Sequence, residues 1–320
     1  MKDLRKNSAT SLEVGEEAVG QRIDNYLMRY CKGVPKSHVY RIVRSGEVRV
    51  NSGRVDPDYR LACGDVVRVP PLQLAASAER PAPAREFGAA FEDEALLVID
   101  KPAGTAVHGG SGVSFGVIEQ LRQARPQARF LELAHRLDRE TSGLLVLAKK
   151  RAALTRLHEC FRQGTVSKRY LALVRGRWMN SLQHVRLPLL KHGGDEGERR
   201  VSVSPDGKEA HSIVRLAARW QNFSLVEVEL KTGRTHQIRV HLAHLGFPLA
   251  GDERYGDFAL NRDLKRAGLK RMFLHAAQLK FQHPLSGQMV ELLAPLPAEL
   301  RKFLNDLDRH EHRDHGDTKF

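Results

Sequence analysis

Apolar residues in QRIDNYLMRYC fall at Ile23, Tyr26, Leu27 and Tyr30, the spacing of one helix face. SHVYRIVRSG repeats that period, with Ser37 as its expected N-cap and Gly46 as its stop. EVRVN alternates like a strand, and VVRVP follows as another after the turn residues Gly64 and Asp65. Periodicity then lapses in PLQLAASAERPAPAREFG, whose Ala and Pro content reads as a linker.

Beyond it, ALLVIDKP predicts a buried strand ended by proline, and SFGVIEQLRQA a helix entered at Ser114. LLVLAKK predicts a strand, AALTRLHECFRQG a helix and KRYLALVRG another strand. SIVRLAARW and SLVEVELKT alternate like paired strands. RTHQIRVHLAHLG predicts a helix closed by Gly246. LHAAQLKFQHP and MVELLAP predict further strands, and PAELRKFLNDL a last helix. Strands outnumber helices and adjoin each other, so the expected class is α+β with a mixed, largely antiparallel central sheet. The expected organisation is a disordered polar lead over 1–17, a small domain over 18–75, a linker over 76–89, a large domain over 90–307 and a frayed polar tail over 308–320.

The 320 residues fit two domains. Their 52 Lys and Arg against 38 Asp and Glu leave a formal charge of +14, which favours a polyanionic partner, nucleic acid first. No apolar run reaches the roughly 18 residues of a spanning helix, and the charged N-terminal stretch is no secretion signal, so the expectation is a soluble cytoplasmic protein without membrane attachment. Three scattered cysteines, Cys31, Cys63 and Cys160, argue against a disulfide framework or a cysteine-rich zinc site and read as small half-buried side chains. The first domain concentrates the charge, with ten Lys or Arg against five acids between Gly20 and Pro71. Arg22, Lys36, Arg41 and Arg44 fall at helix starts or on one helix face, where cations and helix N-termini meet phosphates.

HRLDRETSG sets one acid, Asp138, between Arg136 and Arg139, with apolar FLELA before it and LLVLA after it. An aspartate before Thr-Ser-Gly can simply close an Asx turn. A carboxylate in a loop between core segments is also partly buried, and then needs a partner. A positioned, ionised carboxylate is a candidate nucleophile or base. Glu140 is only two positions on, so no second carboxylate for paired-acid hydrolysis presents itself.

HRLDRETSGLLVLAK, KRYLALVRG and TGRTHQIRVHLAHLGFPLAGDERYG together resemble the RluA-type family of RNA pseudouridine synthases, and DKPAGTAVHGGSG and LHAAQLKFQHP fit the same pattern. GQRIDNYL, PKSHVYRIVRSGEVRVNSGRV and GDVVRVP resemble the α-L RNA-binding motif. The resemblance implies a pseudouridine synthase fold that isomerises uridines of 23S rRNA, with free rRNA and a large-subunit assembly intermediate both open as substrate. Such an isomerisation oxidises nothing and loses no group, so no cofactor or metal is expected, and a monomer is the default expectation. The resemblance also implies Asp138 as the catalytic aspartate, Arg136 as the residue that fills the RNA stack, and Tyr170 as a catalytic ring stacked on the flipped base and a candidate for proton removal. It further implies Arg239 as the ion-pair partner that holds Asp138 ionised, and Ile238 as packing under the base. Those residue types suit the task, because a uridine in RNA must be flipped out before its glycosidic bond is reached. The carboxylate then attacks the sugar or takes a proton from it to give a glycal.

GVSFG formally matches GxSxG, yet its serine, Ser114, follows a Gly-rich loop and not a strand, which disfavours a serine hydrolase. His236, His241 and His244 share a helix without HExxH or a carboxylate in register, which disfavours zinc. A non-catalytic RNA-binding protein on the same scaffold is the runner-up, and Asp138 divides the two.

Overall fold

The computed structural model describes residues 9–31, 34, 36–71, 82–109, 113–192 and 200–316, with side chains of 36, 37 and 310–316 outside the description. The chain divides into two compact units, Met1–Pro81 and Ala82–Phe320.

The first unit runs β1 (Thr10–Glu13), α1 (Ile23–Tyr30), α2 (Lys36–Arg44), β2 (Arg49–Val50) and β3 (Val66–Val69). The 3.6-residue period places Ile23, Tyr26 and Leu27 of α1 and Val39, Ile42 and Val43 of α2 in one core. Val67 and Val69 of β3 point into the same core, while Val66 and Arg68 point out. β3 pairs antiparallel with β1 on one side and β2 on the other. The expected disordered lead is corrected for residues 9–17, while residues 1–8 lie outside the described residues. Leu12 and Val14 are buried in the core, and Thr10–Glu13 forms an edge strand whose two-residue period is too short to stand out among polar neighbours. α2 begins at Lys36, so Ser37 lies inside its first turn and does not precede it.

The second unit runs β4 (Ala89–Glu92), β5 (Leu96–Lys101), α3 (Val117–Ala124), β6 (Glu132–Leu133), β7 (Ser142–Ala148), α4 (Arg151–Gln163) and β8 (Ser167–Arg175). It continues β9 (Leu182–Arg186), β10 (Leu189–Lys191), β11 (Val201–Val203), β12 (His211–Arg219), β13 (Phe223–Leu230), α5 (Gln237–His244) and α6 (Phe258–Arg266). It ends with β14 (Leu274–Gln282), β15 (Met289–Leu293) and α7 (Ala298–Gly316). A ten-stranded sheet runs β4-β5-β7-β14-β8-β13-β12-β9, with β15 on β14 and β6 on β7, and β10 and β11 form a separate hairpin.

Both faces of the sheet's centre are buried, which is why LLVI and LLVL read as continuous apolar runs. Leu97, Ile99, Leu145 and Leu147 pack on one face with Val117 and Leu121 of α3 and Ile238 and Leu242 of α5. Their alternates Leu96, Val98, Leu144 and Val146 pack on the other face with Ala153, Leu154 and Leu157 of α4. Leu264 of α6 and Leu300 and Phe303 of α7 pack with Leu173, Phe223 and Phe273.

Most pairings are antiparallel, but β7 lies parallel to β14 through Ser142 opposite His275 and Gly143 opposite Ala276. Gly143 has φ +108°, and a Cβ there would sit 2.3 Å from the Ala276 carbonyl oxygen. Only glycine allows that approach, made at the last residue of HRLDRETSG. Phe87 is buried in the second core, so the C-terminal end of the expected linker belongs to this unit. The tail is likewise corrected in part, since α7 continues to Gly316 and Asp308 accepts from Trp220 Nε1 at 2.8 Å.

Candidate active site

Asp138 lies in the loop between β6 and β7, and that loop is clamped from several sides. His135 Nε2 accepts the Val146 N–H at 3.1 Å, and its ring lies 4.9 Å from the Phe161 ring. Burial pushes the His135 imidazole down to about 4, and nearby Lys168 adds to the shift, so the ring stays a neutral acceptor. Lys101, fully buried at the end of β5, donates to the carbonyls of Pro102, Thr105 and Arg139 at 2.9, 2.8 and 3.1 Å. On the far side, Ser142 Oγ bonds His275 Nδ1 at 2.9 Å and accepts from Arg271 Nη2 at 2.8 Å.

The turn itself is closed by the main chain, the Thr141 N–H donating to the Asp138 carbonyl at 3.2 Å. The carboxylate is therefore not consumed in an Asx turn and faces a cleft of about 530 Å³. That volume is in the range of small-ligand sites.

Across the cleft α5 delivers Arg239, whose Nη1 donates to Asp138 Oδ2 at 3.3 Å. The same guanidinium donates through Nε and Nη2 to both oxygens of Asp252 at 2.7 and 2.8 Å. Burial alone would raise the Asp252 carboxyl, but Arg239 and the N–H groups of Arg254 and Tyr255 outweigh it and hold Asp252 below the usual carboxylate range. Asp252 is 1 % exposed, so Arg239 is fixed from behind and presents its remaining edge to Asp138. Arg139, by contrast, donates to the Gly104 carbonyl and meets Glu140 at 3.4 Å, while Arg136 is exposed on the cleft lining. Asp138 is thus paired by a residue about a hundred positions away, and neither arginine beside it in sequence holds it.

Tyr170 projects from β8 into the same cleft. Burial pushes its phenol well above the usual value and the Asp138 charge adds to that, which keeps the ring neutral. Ile238 lines the cleft beside it. His236, just before α5, adopts a left-handed φ of +54°, a strain tolerated where neighbours fix the residue. Its Nδ1 lies 2.9 Å from Tyr255 Oη and its Nε2 3.9 Å from Asp138 Oδ2. Arg136, Arg162, Lys168, Lys231, Arg234 and Arg239 line the cleft, and Asp138 is its single acid among the described residues.

The remaining expected residues lie in the first unit. Arg22 is tied to buried Asp24 at 2.8 Å, which also accepts from Tyr40 Oη at 3.0 Å. Arg41 and Arg44 are exposed on α2, with Arg44 over the Tyr40 ring at 5.9 Å, and the side chain of Lys36 lies outside the described residues. His241 is buried between Ser212 Oγ and the Leu187 carbonyl, a packing role. Ser114 is exposed and without a histidine partner among the described residues. Of the cysteines, Cys63 is exposed and not half-buried, and Cys31 is fully buried. Among the described residues no cluster of three or more His, Cys, Asp or Glu could hold a metal ion, and no helix is long and apolar enough to cross a membrane.

Sequence reasoning did not assign Asp252, His135 or Lys101. Asp252 sits within GDERYG, but nothing local to that segment signals a partner on another element. A lysine at a strand's end before proline reads as exposed until the loop that covers it is seen.

Known proteins resemble the chain over most of its length. Residues 95–244 match the model of the RNA pseudouridylate synthase family and residues 21–67 that of the S4 domain. The chain is 52% identical over 300 residues to ribosomal large subunit pseudouridine synthase C of Yersinia pestis, covering 92% of this chain and 94% of that one. It is 50% identical over 309 residues to the protein of that name from Escherichia coli (strain K12), covering 94% and 97%. Among solved structures, human RNA pseudouridylate synthase domain containing 4 superposes with a TM-score of 0.58 at 26% identity, over 69% of this chain and 93% of that one.

Proposed function

From the premise that the chain belongs to the RNA pseudouridylate synthase family, we propose that it converts specific uridines of 23S rRNA to pseudouridine with Asp138 as the reacting carboxylate. Isomerisation of uridine in RNA is the activity of this family, and in ribosomal RNA that of this chain, and an S4 domain serves RNA binding beside it. The proposal extends to the exact RNA, to the residues, to a monomer acting in the cytoplasm, and to free rRNA or an assembly intermediate as substrate.

The observation that carries the assignment is the placement of Asp138, the lone acid of a basic cleft, 3.3 Å from a guanidinium that Asp252 fixes from behind. The basic lining attracts the phosphate backbone. Extruding a base costs a few kcal/mol, and two groups offset it: Arg136, exposed on the cleft lining, fills the vacated stack, and Tyr170 receives the base on its neutral ring above Ile238. The N1–C1′ bond then breaks with its electrons passing to the uracil. Asp138 either attacks C1′ or removes the C2′ proton, and both routes need the same carboxylate beside the ribose. The detached base turns and C5 bonds to C1′ as the Asp138–C1′ bond breaks or, on the glycal route, as the proton returns to C2′; the C5 proton then leaves and N1 gains one. Atoms and electrons balance, so the reaction calls for no redox partner or group carrier.

The test is Asp138→Asn. We expect it to abolish tritium release from rRNA labelled at uridine C5 while RNA affinity stays near wild type. Wild-type turnover by the variant would refute the assignment, and would favour the reading of the chain as an RNA binder whose chemistry lies elsewhere.

A further inference from the structure

Lys168 stands on β8 two residues before Tyr170, so both side chains project to the same face of the sheet and both line the cleft. Its side chain is 7 % exposed. Among the described residues its ammonium meets no hydrogen-bond acceptor and no carboxylate, only the Phe161 ring at 5.6 Å. The charges around it are of its own sign: Lys231, itself tied to Glu229, and Arg162 on the same lining. Burial and the Lys231 charge both disfavour its charged form. Its stem is buried while its ammonium opens onto the cleft, and a lysine so enclosed is normally paired. The free protein therefore carries a cation at the substrate cleft whose partner it does not supply.

We propose that Lys168 is a phosphate-binding residue, its ammonium taking a non-bridging oxygen of the RNA phosphodiester next to the uridine held between Tyr170 and Asp138. This rests on the reading of the cleft as the uridine site. A base on Tyr170 with its ribose at Asp138 leaves the adjoining backbone within reach of a lysine arm two residues along the same strand. Phosphate supplies the missing counter-charge, and Arg162 and Lys231 extend the basic track. Binding the backbone through a cation held on the cleft wall positions the nucleotide without reading its base.

Lys168→Met and Lys168→Arg in the full chain, assayed on a 23S rRNA transcript, decide the matter. We expect Lys168→Met to raise KM about tenfold with kcat far less affected, and to flatten the log–log salt dependence of RNA binding by about one unit, the signature of one lost phosphate contact. Lys168→Arg should restore most of both. Because Met keeps the buried stem and removes a charge that the free protein leaves unpaired, its Tm should equal or exceed wild type. An unchanged salt slope would overturn the proposal, since a contact to an uncharged base carbonyl leaves the slope alone. A lowered Tm with unchanged KM would also overturn it and make Lys168 a structural prop. Absence of pseudouridine with wild-type protein would contradict the uridine reading instead, and the salt slope of RNA binding would still decide Lys168.

Discussion

Replacing Asp252 by Asn leaves the shape of the site and removes the charge behind Arg239. Asp252 accepts four hydrogen bonds, from Arg239 Nε at 2.7 Å, Arg239 Nη2 at 2.8 Å, the Arg254 N–H at 2.8 Å and the Tyr255 N–H at 3.1 Å. An amide nitrogen in place of one oxygen faces donors with a donor. Breaking a buried ion pair by removing one partner costs about 3–5 kcal/mol. Asn keeps one acceptor, so we expect about 3 kcal/mol, which a fold of roughly 5–15 kcal/mol survives. Urea denaturation at pH 7 reads this directly. The sign with pH is fixed by the lowered Asp252 carboxyl: its stabilisation is present above the unfolded value of 3.8 and is lost as pH falls through the folded value. The gap between wild type and Asp252→Asn should therefore narrow below about pH 4. In activity, the longer 3.3 Å contact to Asp138 no longer has a fixed guanidinium behind it. Losing a charge-assisted bond of about 1.5–3 kcal/mol lowers kcat some ten- to hundredfold, with KM little changed. Equal stability at pH 7 with unaltered kcat would refute the reasoning that Asp252 holds Arg239 in place.

Other consequences are as concrete. Gly143→Ala should lose at least about 3 kcal/mol or fail to fold, since its Cβ would strike the Ala276 backbone at a φ that L-residues rarely adopt; chemical denaturation measures it. With the His135 imidazole at about 4, the unfolded chain binds its proton near pH 6.5 while the folded chain does not, so stability falls as pH drops from 6.5 towards 4. That contribution is on the order of 2 kcal/mol, and His135→Gln should remove it from calorimetric melting across this window. Arg136→Ala should leave Tm within about 0.5 kcal/mol of equivalent stability, because the side chain is exposed, yet reduce single-turnover pseudouridine formation severalfold or more. An unaffected rate would remove Arg136 from the flipping step.

The elements built on a sustained period were legible in the chain. The double-sided burial of β5 and β7 makes their apolar runs unbroken, and α1, α2 and α4 each show one apolar face. β1, β6, β9, β10 and β11 were not, because two to five residues are too few to establish a period. α6 was missed because Phe258 and five polar or charged residues of FALNRDLKR mask the buried Leu264. In the site, Asp138, Tyr170, Ile238 and Arg239 could be placed by motif and the fold brings them to one cleft. What holds them there depends on tertiary geometry. Asp252 reaches Arg239 from a different segment, Lys101 reaches the Arg139 carbonyl from the end of β5, and the arginines flanking Asp138 turn elsewhere. A carboxylate's partner is set by which helix faces it across the sheet, and local sequence carries no record of that.

The most direct test of the account is to map pseudouridine in 23S rRNA from cells that lack this protein, complemented with the wild-type chain or with Asp138→Asn. The account predicts that particular sites lose pseudouridine in the deletion, regain it with the wild-type chain, and stay as uridine with Asp138→Asn expressed to the same level. Restoration of those sites by Asp138→Asn would contradict it.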